Sequence, residues 1–171
     1  MILKIPHHDI NLEPFMSRSP DFNRKFERIQ TERTLKSQII AAIPLTDQEK
    51  LFHIRICDPA ERANFSFLPG QFVMLELPGC GEVAISISGS SSNHEFIELC
   101  IRKVGKVTGI VHKLEPGVFV GIRGPFGTHF PMQEMVGANV LLIAGGLGIV
   151  PLRSPIYWAN DHRNEYEDIT I

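Results

Sequence analysis

The residues best placed to do chemistry in this sequence are glycines, not acids, bases or nucleophiles. Gly145, Gly146, Leu147 and Gly148 follow the apolar run Val140–Ala144 and precede a helical pattern that contains Pro151. A strand that ends in such a turn and feeds a helix aims free main-chain N–H groups at one point. The helix dipole adds partial positive charge there, so an anion such as pyrophosphate is favoured. Glycine also lets a ligand approach without a Cβ in the way. The same turn serves close packing of helix on sheet, and the pattern alone leaves both readings open. A second turn of this kind is Gly105-Lys106-Val107-Thr108. Gly105 breaks a strand, Thr108 is the expected cap of the helix that follows, and Lys106 and Arg102 lie close by. This is either a second phosphate cradle or a plain capped helix with solvated bases. A third stretch, GEVAISISGSSS, sets Ser86, Ser88, Ser90, Ser91 and Ser92 at a strand end. Their hydroxyls suit hydrogen bonds to a flat polar ring, or else they form a serine-rich hairpin loop.

Other chemistries find little support. His53, His94, His112 and His129 are scattered and read as structural or solvated. The serine cluster lacks the Gly-x-Ser-x-Gly elbow of a hydrolase and has no paired histidine. Cys57, Cys80 and Cys100 lie far apart, without Cys-x-x-Cys spacing, and read as reduced thiols. No metal site is expected. The 171 residues carry a net charge of −2 and no long basic block, which argues against nucleic acid as a partner. With 43% apolar and 21% charged residues the balance is that of a globular domain. The start MILKIPHHDI lacks the roughly 7–15 apolar residues of a signal peptide. The longest apolar run, Val140–Ala144, is far short of the ~20 residues that span a bilayer. A cytoplasmic protein without membrane insertion is expected.

The elements that position these residues fall into three zones. Residues 1–36 form a polar N-terminal extension with Phe22, Phe26 and Ile29 at helical spacing, capped by Ser19 or Asp21. It reads as a helix lying on its own barrel or as a docking arm for a partner. Residues 37–136 hold six short strands rich in Val, Ile and Phe and bounded by Gly, Pro, Asn or Ser, with one helix at Thr108–Gly117. That pattern predicts a mainly β domain, a small antiparallel barrel or sandwich. From Gly137 a continuous apolar run predicts a parallel strand buried on both faces. A helix over about Ile149–His162 follows, and EDITI opens a second strand.

Taken in order, PGQFVMLELPGCGEVAISIS, IRKVGKVTGIVHKLEPG, VGIRGPFG and LLIAGGLGIVPLRS resemble the ferredoxin–NADP reductase superfamily. More narrowly they resemble the gamma-type electron-transfer subunits of sulfhydrogenases, anaerobic sulfite reductases and dihydroorotate dehydrogenase B. The resemblance implies a six-stranded Greek-key barrel that binds FAD, followed by the first βα(β) of a Rossmann-like lobe that binds NAD(P)H. It implies that hydride passes from NAD(P)H to FAD and electrons pass on to iron–sulfur, hydrogenase or reductase partner subunits. It puts Ile85 and Ser86 against the flavin, with Ser86 at its N5 edge, and the main chain of Ile87 and Ser88 along its rim. It puts Gly105, Lys106, Val107 and Thr108 on the diphosphate. It puts Gly124-Pro125-Phe126-Gly127 at a barrel-closing turn, and Gly145, Gly146, Leu147, Gly148 and Pro151 on the nicotinamide nucleotide.

The sequence departs from the family pattern in three respects. Val83 stands where a flavin-phosphate arginine is usual, and Ile85 where an aromatic ring often stacks. Losing one bidentate arginine–phosphate pair removes about 1.5–3 kcal/mol, which Lys106 or Arg102 would offset in part. Pro155 falls beyond the first turn of the expected helix, so a kink or a late helix start is expected. Within these 171 residues the nucleotide lobe reads as cut short, and the cysteine cluster that the family carries at its C-terminus does not fall among them. The alternative reading is a non-enzymatic flavin-binding or assembly subunit that has lost NAD(P)H binding.

Overall fold

The computed structural model describes residues 33–171, which form one compact unit. The expected helix around Phe22, Phe26 and Ile29 lies outside the described residues. Six strands are present: β1 Leu35–Pro44, β2 Glu49–Ile56, β3 Phe72–Leu77, β4 Gly81–Ser86, β5 Ile97–Arg102 and β6 Phe119–Phe126. All their pairings are antiparallel, in the order β4-β3-β6-β1-β2-β5. The sheet curls until its two ends meet at a single bridge, Ile87 to Leu99, just past β4. Neighbours that are distant in sequence, such as β3 with β6 and β2 with β5, give the Greek-key connectivity. The first strand begins at Leu35, two residues before the boundary drawn from composition.

Alternation selects the inner face. Phe52, Ile54 and Ile56 of β2 are 0%, 1% and 2% exposed, while His53 and Arg55 face outward. Val73, Leu75 and Leu77 of β3, Leu99 and Ile101 of β5 and Ile122 of β6 complete the core. Close packing at this centre makes register costly to change, since a one-residue slip would turn each strand's apolar set outward.

The expected helix at 108–117 is shorter and starts earlier: α2 spans Lys106–Val111. A further helix, α1 Pro59–Asn64, lies just past β2, where no element is expected from the sequence. Asp58 caps it, its Oδ1 accepting from the amides of Ala60 and Glu61 at 2.8 and 2.9 Å. Gly124, Pro125 and Phe126 do not form a separate turn. They are the end of β6, and Phe126 pairs with Phe72.

After the barrel, β7 Val140–Leu141 runs parallel to β8 Ile169–Thr170, and α3 Ile149–Asp161 connects them. The strand is not buried on both faces as its sequence suggests. Val140 and Leu142 are 5% and 8% exposed against Met132, Ala159 and Tyr166, but Leu141 and Ile143 are 63% and 79% exposed. No described residue covers that second face. Helix α3 starts at Ile149 and runs through Pro155, so the expected late start is not seen. Pro151, within the first turn, lacks only an N–H that would have had no intrahelical partner.

Candidate functional site

The seam between β4 and β5 is closed at one end only. Beyond β4, the Ile87 amide donates to the Gln71 carbonyl at 3.0 Å, and the Ser88 amide donates across the seam to the Glu98 carbonyl at 2.9 Å. The register of β4 with β3 is regular, Ser86 facing Phe72 and Ala84 facing Met74. Antiparallel strands alternate the direction of their main-chain groups. Because Ile87 bonds toward β3, so do Ile85 and Val83, and the N–H and C=O groups of Ser86, Ala84 and Glu82 point away from β3, into the seam. No ladder continues there toward β5. The Ile87–Leu99 bridge, with Ser88 donating to Glu98, turns the Ser86 carbonyl to the Cys100 amide, so the unpaired main-chain edge is the Ser86 amide with the groups of Ala84 and Glu82.

Helix α2 stands over this opening. Val107 Cγ2 lies 3.5 Å from where a Cβ of Gly81 would sit, so the helix start and the β4 start are neighbours. Thr108 is not the N-cap that the sequence suggests. Gly105 is the cap residue, and the Thr108 hydroxyl oxygen, buried, accepts from the amides of Gly105 at 2.9 Å and Val104 at 3.1 Å. Two amides of the turn are thus used internally. Those of Lys106, Val107 and Thr108 fall in the first helical turn and have no intrahelical partner. A Cβ placed on Gly105 would meet nothing within 4 Å, and Gly105 and Lys106 are exposed. The turn is open, and its free donors share the seam with the β4 edge.

Side chains divide otherwise than the serine-rich sequence suggests. Ser88 is fully buried and its hydroxyl donates to the Glu98 carbonyl. Ile87 is a core residue. Ser90 and Ser92 donate to the Asp161 carboxylate at 3.1 and 3.2 Å and are tied to helix α3. Of this group Ser86, half-buried at the mouth of the seam, is left with a free amide and hydroxyl. Val83 and Ile85 are half-buried against the edge of the core.

The second glycine turn follows Val140–Ala144 as a single 3-10 turn, Gly146–Gly148, with Gly146 at φ +53°. The Gly148 amide donates to the Gly145 carbonyl at 3.0 Å, and the Ile149 amide also bonds within the turn. The amides of Gly146 and Leu147 remain as free donors, and a Cβ on Gly145, Gly146 or Gly148 would meet nothing within 4 Å. Pro151 sits half-buried in the first turn of α3. Val150, one residue before it, packs on Leu51 and Cys100 of the barrel.

The charges around the seam are unequal. Arg102 Nε is held by Glu49 at 2.5 Å, and Arg123 by Glu82 at 2.7 Å. Lys106 has no carboxylate partner among the described residues. The Thr46 hydroxyl, and behind it the Arg102 guanidinium, outweigh desolvation and hold the Glu49 carboxyl below its ordinary pKa. Burial pushes the Cys100 thiol up, so it stays neutral. No group of three or more His, Cys, Asp or Glu side chains arranged to hold a metal ion occurs among the described residues. No described helix is long and apolar enough to cross a membrane.

A family model described as the oxidoreductase FAD-binding domain matches residues 37–130, the barrel with its seam. The chain belongs to this family. Within it, the chain is 50% identical over 134 residues to the sulfhydrogenase 1 subunit gamma of Pyrococcus furiosus, a match that covers 78% of this chain and 46% of that one. It is 43% identical over 89 residues to a probable dihydroorotate dehydrogenase B (NAD(+)) electron transfer subunit of Methanocaldococcus jannaschii, covering 52% and 31%. Among solved structures, a ferredoxin NADP+ reductase from Neisseria gonorrhoeae with bound FAD and NADP superposes with a TM-score of 0.65 at 20% identity, over 80% of this chain and 55% of that one. The chain thus spans less than half the length of these curated relatives of the FAD-binding family, and it shares the ferredoxin reductase fold.

Proposed function

We propose that this chain is the flavin-binding part of an electron-transfer oxidoreductase subunit. In this reading residues of the open seam would hold FAD, which would supply the relay between NAD(P)H and the iron–sulfur centres of hydrogenase or reductase partner subunits. The observation that carries it is the main-chain edge of Glu82, Ala84 and Ser86 facing the free amides of Lys106, Val107 and Thr108 across one opening. FAD fits this donor set, because a flat ring with alternating polar edge atoms matches a strand edge and a diphosphate matches a cluster of N–H groups.

When bound, FAD supplies two-electron chemistry toward nicotinamide and one-electron chemistry toward iron–sulfur partners. The work of the chain is binding and orientation. Ser86 offers an amide and a hydroxyl to a ring edge. Val83 and Ile85 offer an apolar flank that excludes water. Lys106, Val107 and Thr108 receive the diphosphate through main-chain N–H groups, Gly105 leaves the turn open to it, and the Lys106 ammonium is the nearby free charge. Ile87 and Ser88 act as the closure that fixes where the seam ends. Gly145, Gly146, Leu147, Gly148 and Pro151 form the side from which NAD(P)H approaches, with the amides of Gly146 and Leu147 as donors.

A second reading, a flavin carrier or assembly module without NAD(P)H reduction, is favoured by the open face at Leu141 and Ile143 beside a two-stranded sheet. The polypeptide of residues 1–171 is expected to hold FAD without being reduced by NADH or NADPH. The test is to load it with FAD, record the visible spectrum and add each nucleotide. A colourless protein that releases no flavin on denaturation defeats both readings. Rapid bleaching on adding NADH defeats the second.

A further inference from the structure

Helix α3 carries its charges the wrong way round. Its last residue is the acid Asp161, its first turns hold the base Arg153, and it has neither an acid in its first turn nor a base in its last. A carboxylate at a helix C-terminus and a cation near the N-terminus both oppose the macrodipole. Each of these charges instead meets the barrel. Asp161 accepts hydrogen bonds from the hydroxyls of Ser90 and Ser92, in the loop that leaves the seam. Arg153 donates to Glu98 of β5 at 3.1 Å and to the Tyr157 hydroxyl at 2.9 Å, both partly buried. Between the glycine turn and Arg153, Val150 packs with Leu51 and Cys100.

We propose that Arg153 and Asp161 are positioning residues. Together they latch α3 to the barrel at two points, so that the turn Gly145–Gly148 at its head is held at a fixed place relative to Ser86. Glu98 links the two sites directly. Its carbonyl closes the seam by accepting from Ser88, and its carboxylate holds Arg153. The relevance of this latch to hydride transfer rests on the flavin reading above, but the latch can be tested without flavin.

The experiment is hydrogen exchange of the chain followed segment by segment, with the barrel strands as internal control. On helix propensity and dipole alone, Asp161→Lys strengthens α3, and Ser90→Ala with Ser92→Ala, on a different element, leaves α3 unchanged. The latch requires the opposite. Both variants speed exchange across residues 146–161 by roughly tenfold or more while β2 and β5 keep their protection. The pair Ser90→Asp with Asp161→Lys, which restores an attraction with the signs reversed, brings protection back. If Asp161→Lys slows exchange or leaves it unchanged, if the serine double variant has no effect, or if the reversed pair does not rescue, the latch is overturned. A protein that shows the latch but binds no FAD would instead defeat the flavin reading.

Discussion

Ile87 bridges Leu99 across the end of the barrel, and one residue earlier, at Ser86, the same seam is open. This closure and this opening have one cause. The main-chain groups of successive residues in a strand point alternately to its two neighbours. Ile87 turns its amide to β3, and Ser88 donates to Glu98. With no ladder beyond, the Ser86 amide is left facing the gap under α2, its carbonyl being the last group that the bridge engages.

Thr108 holds the turn by accepting from Val104 and Gly105. Thr108→Val keeps the shape and removes the acceptor, leaving two amides short of a partner. The expected loss is about 1–3 kcal/mol of stability, read from urea denaturation, together with weaker FAD binding. Thr108→Ser, which keeps the hydroxyl, should retain both.

The two bases near the turn should behave differently. Lys106 is unpaired among the described residues, whereas Arg102 is engaged by Glu49. Lys106→Gln should weaken FAD several-fold and flatten the salt dependence of binding, as loss of one exposed charge–phosphate contact would. Arg102→Gln should leave FAD affinity unchanged. Titration of flavin fluorescence at two salt concentrations separates the two.

The lowered pKa of Glu49 has a definite sign. Its folded value lies below the ordinary 4.5, so its contribution is present above that pH and fades as pH falls through the lowered value. The stability difference between the wild type and Glu49→Gln should therefore be constant from neutral pH down to about pH 5 and shrink below it. A difference that grows on acidification would contradict the assignment.

The thiols should react in order of access. Cys80 is exposed in the β3–β4 turn, while Cys100 is buried under Val150 with its pKa raised. A thiol reagent at pH 8 should label Cys80 at once and Cys100 only on unfolding. Mass spectrometry of the labelled peptides checks this.

The barrel was legible in the sequence because its short Val-, Ile- and Phe-rich runs are bounded by turn residues and because β2 and β3 keep a period of two. Phe52, Ile54 and Ile56 are the clearest case. Helix α1 is not legible although Asp58-Pro59 is a capping pair, because its six residues make fewer than two turns and bury no apolar face that would show a helical period. The glycine turns were legible as backbone features, and the structure leaves free donors in both. The serines were not, since a hydroxyl carries no mark of its partner. Ser88 closes the seam, and Ser90 and Ser92 face Asp161, a residue about 70 positions away in the chain. The exposure of Leu141 and Ile143 was equally hidden, because an apolar run says that a face is suited to burial and not that anything covers it.

The central claim is that main-chain N–H groups around an open seam hold a flavin through its diphosphate as well as its ring. Calorimetric titration of the chain with FAD and, separately, with riboflavin tests it most directly. The account predicts one FAD bound per chain, with riboflavin weaker by at least about tenfold because it lacks the diphosphate. Equal affinity for the two, or no binding of FAD at all, would contradict it.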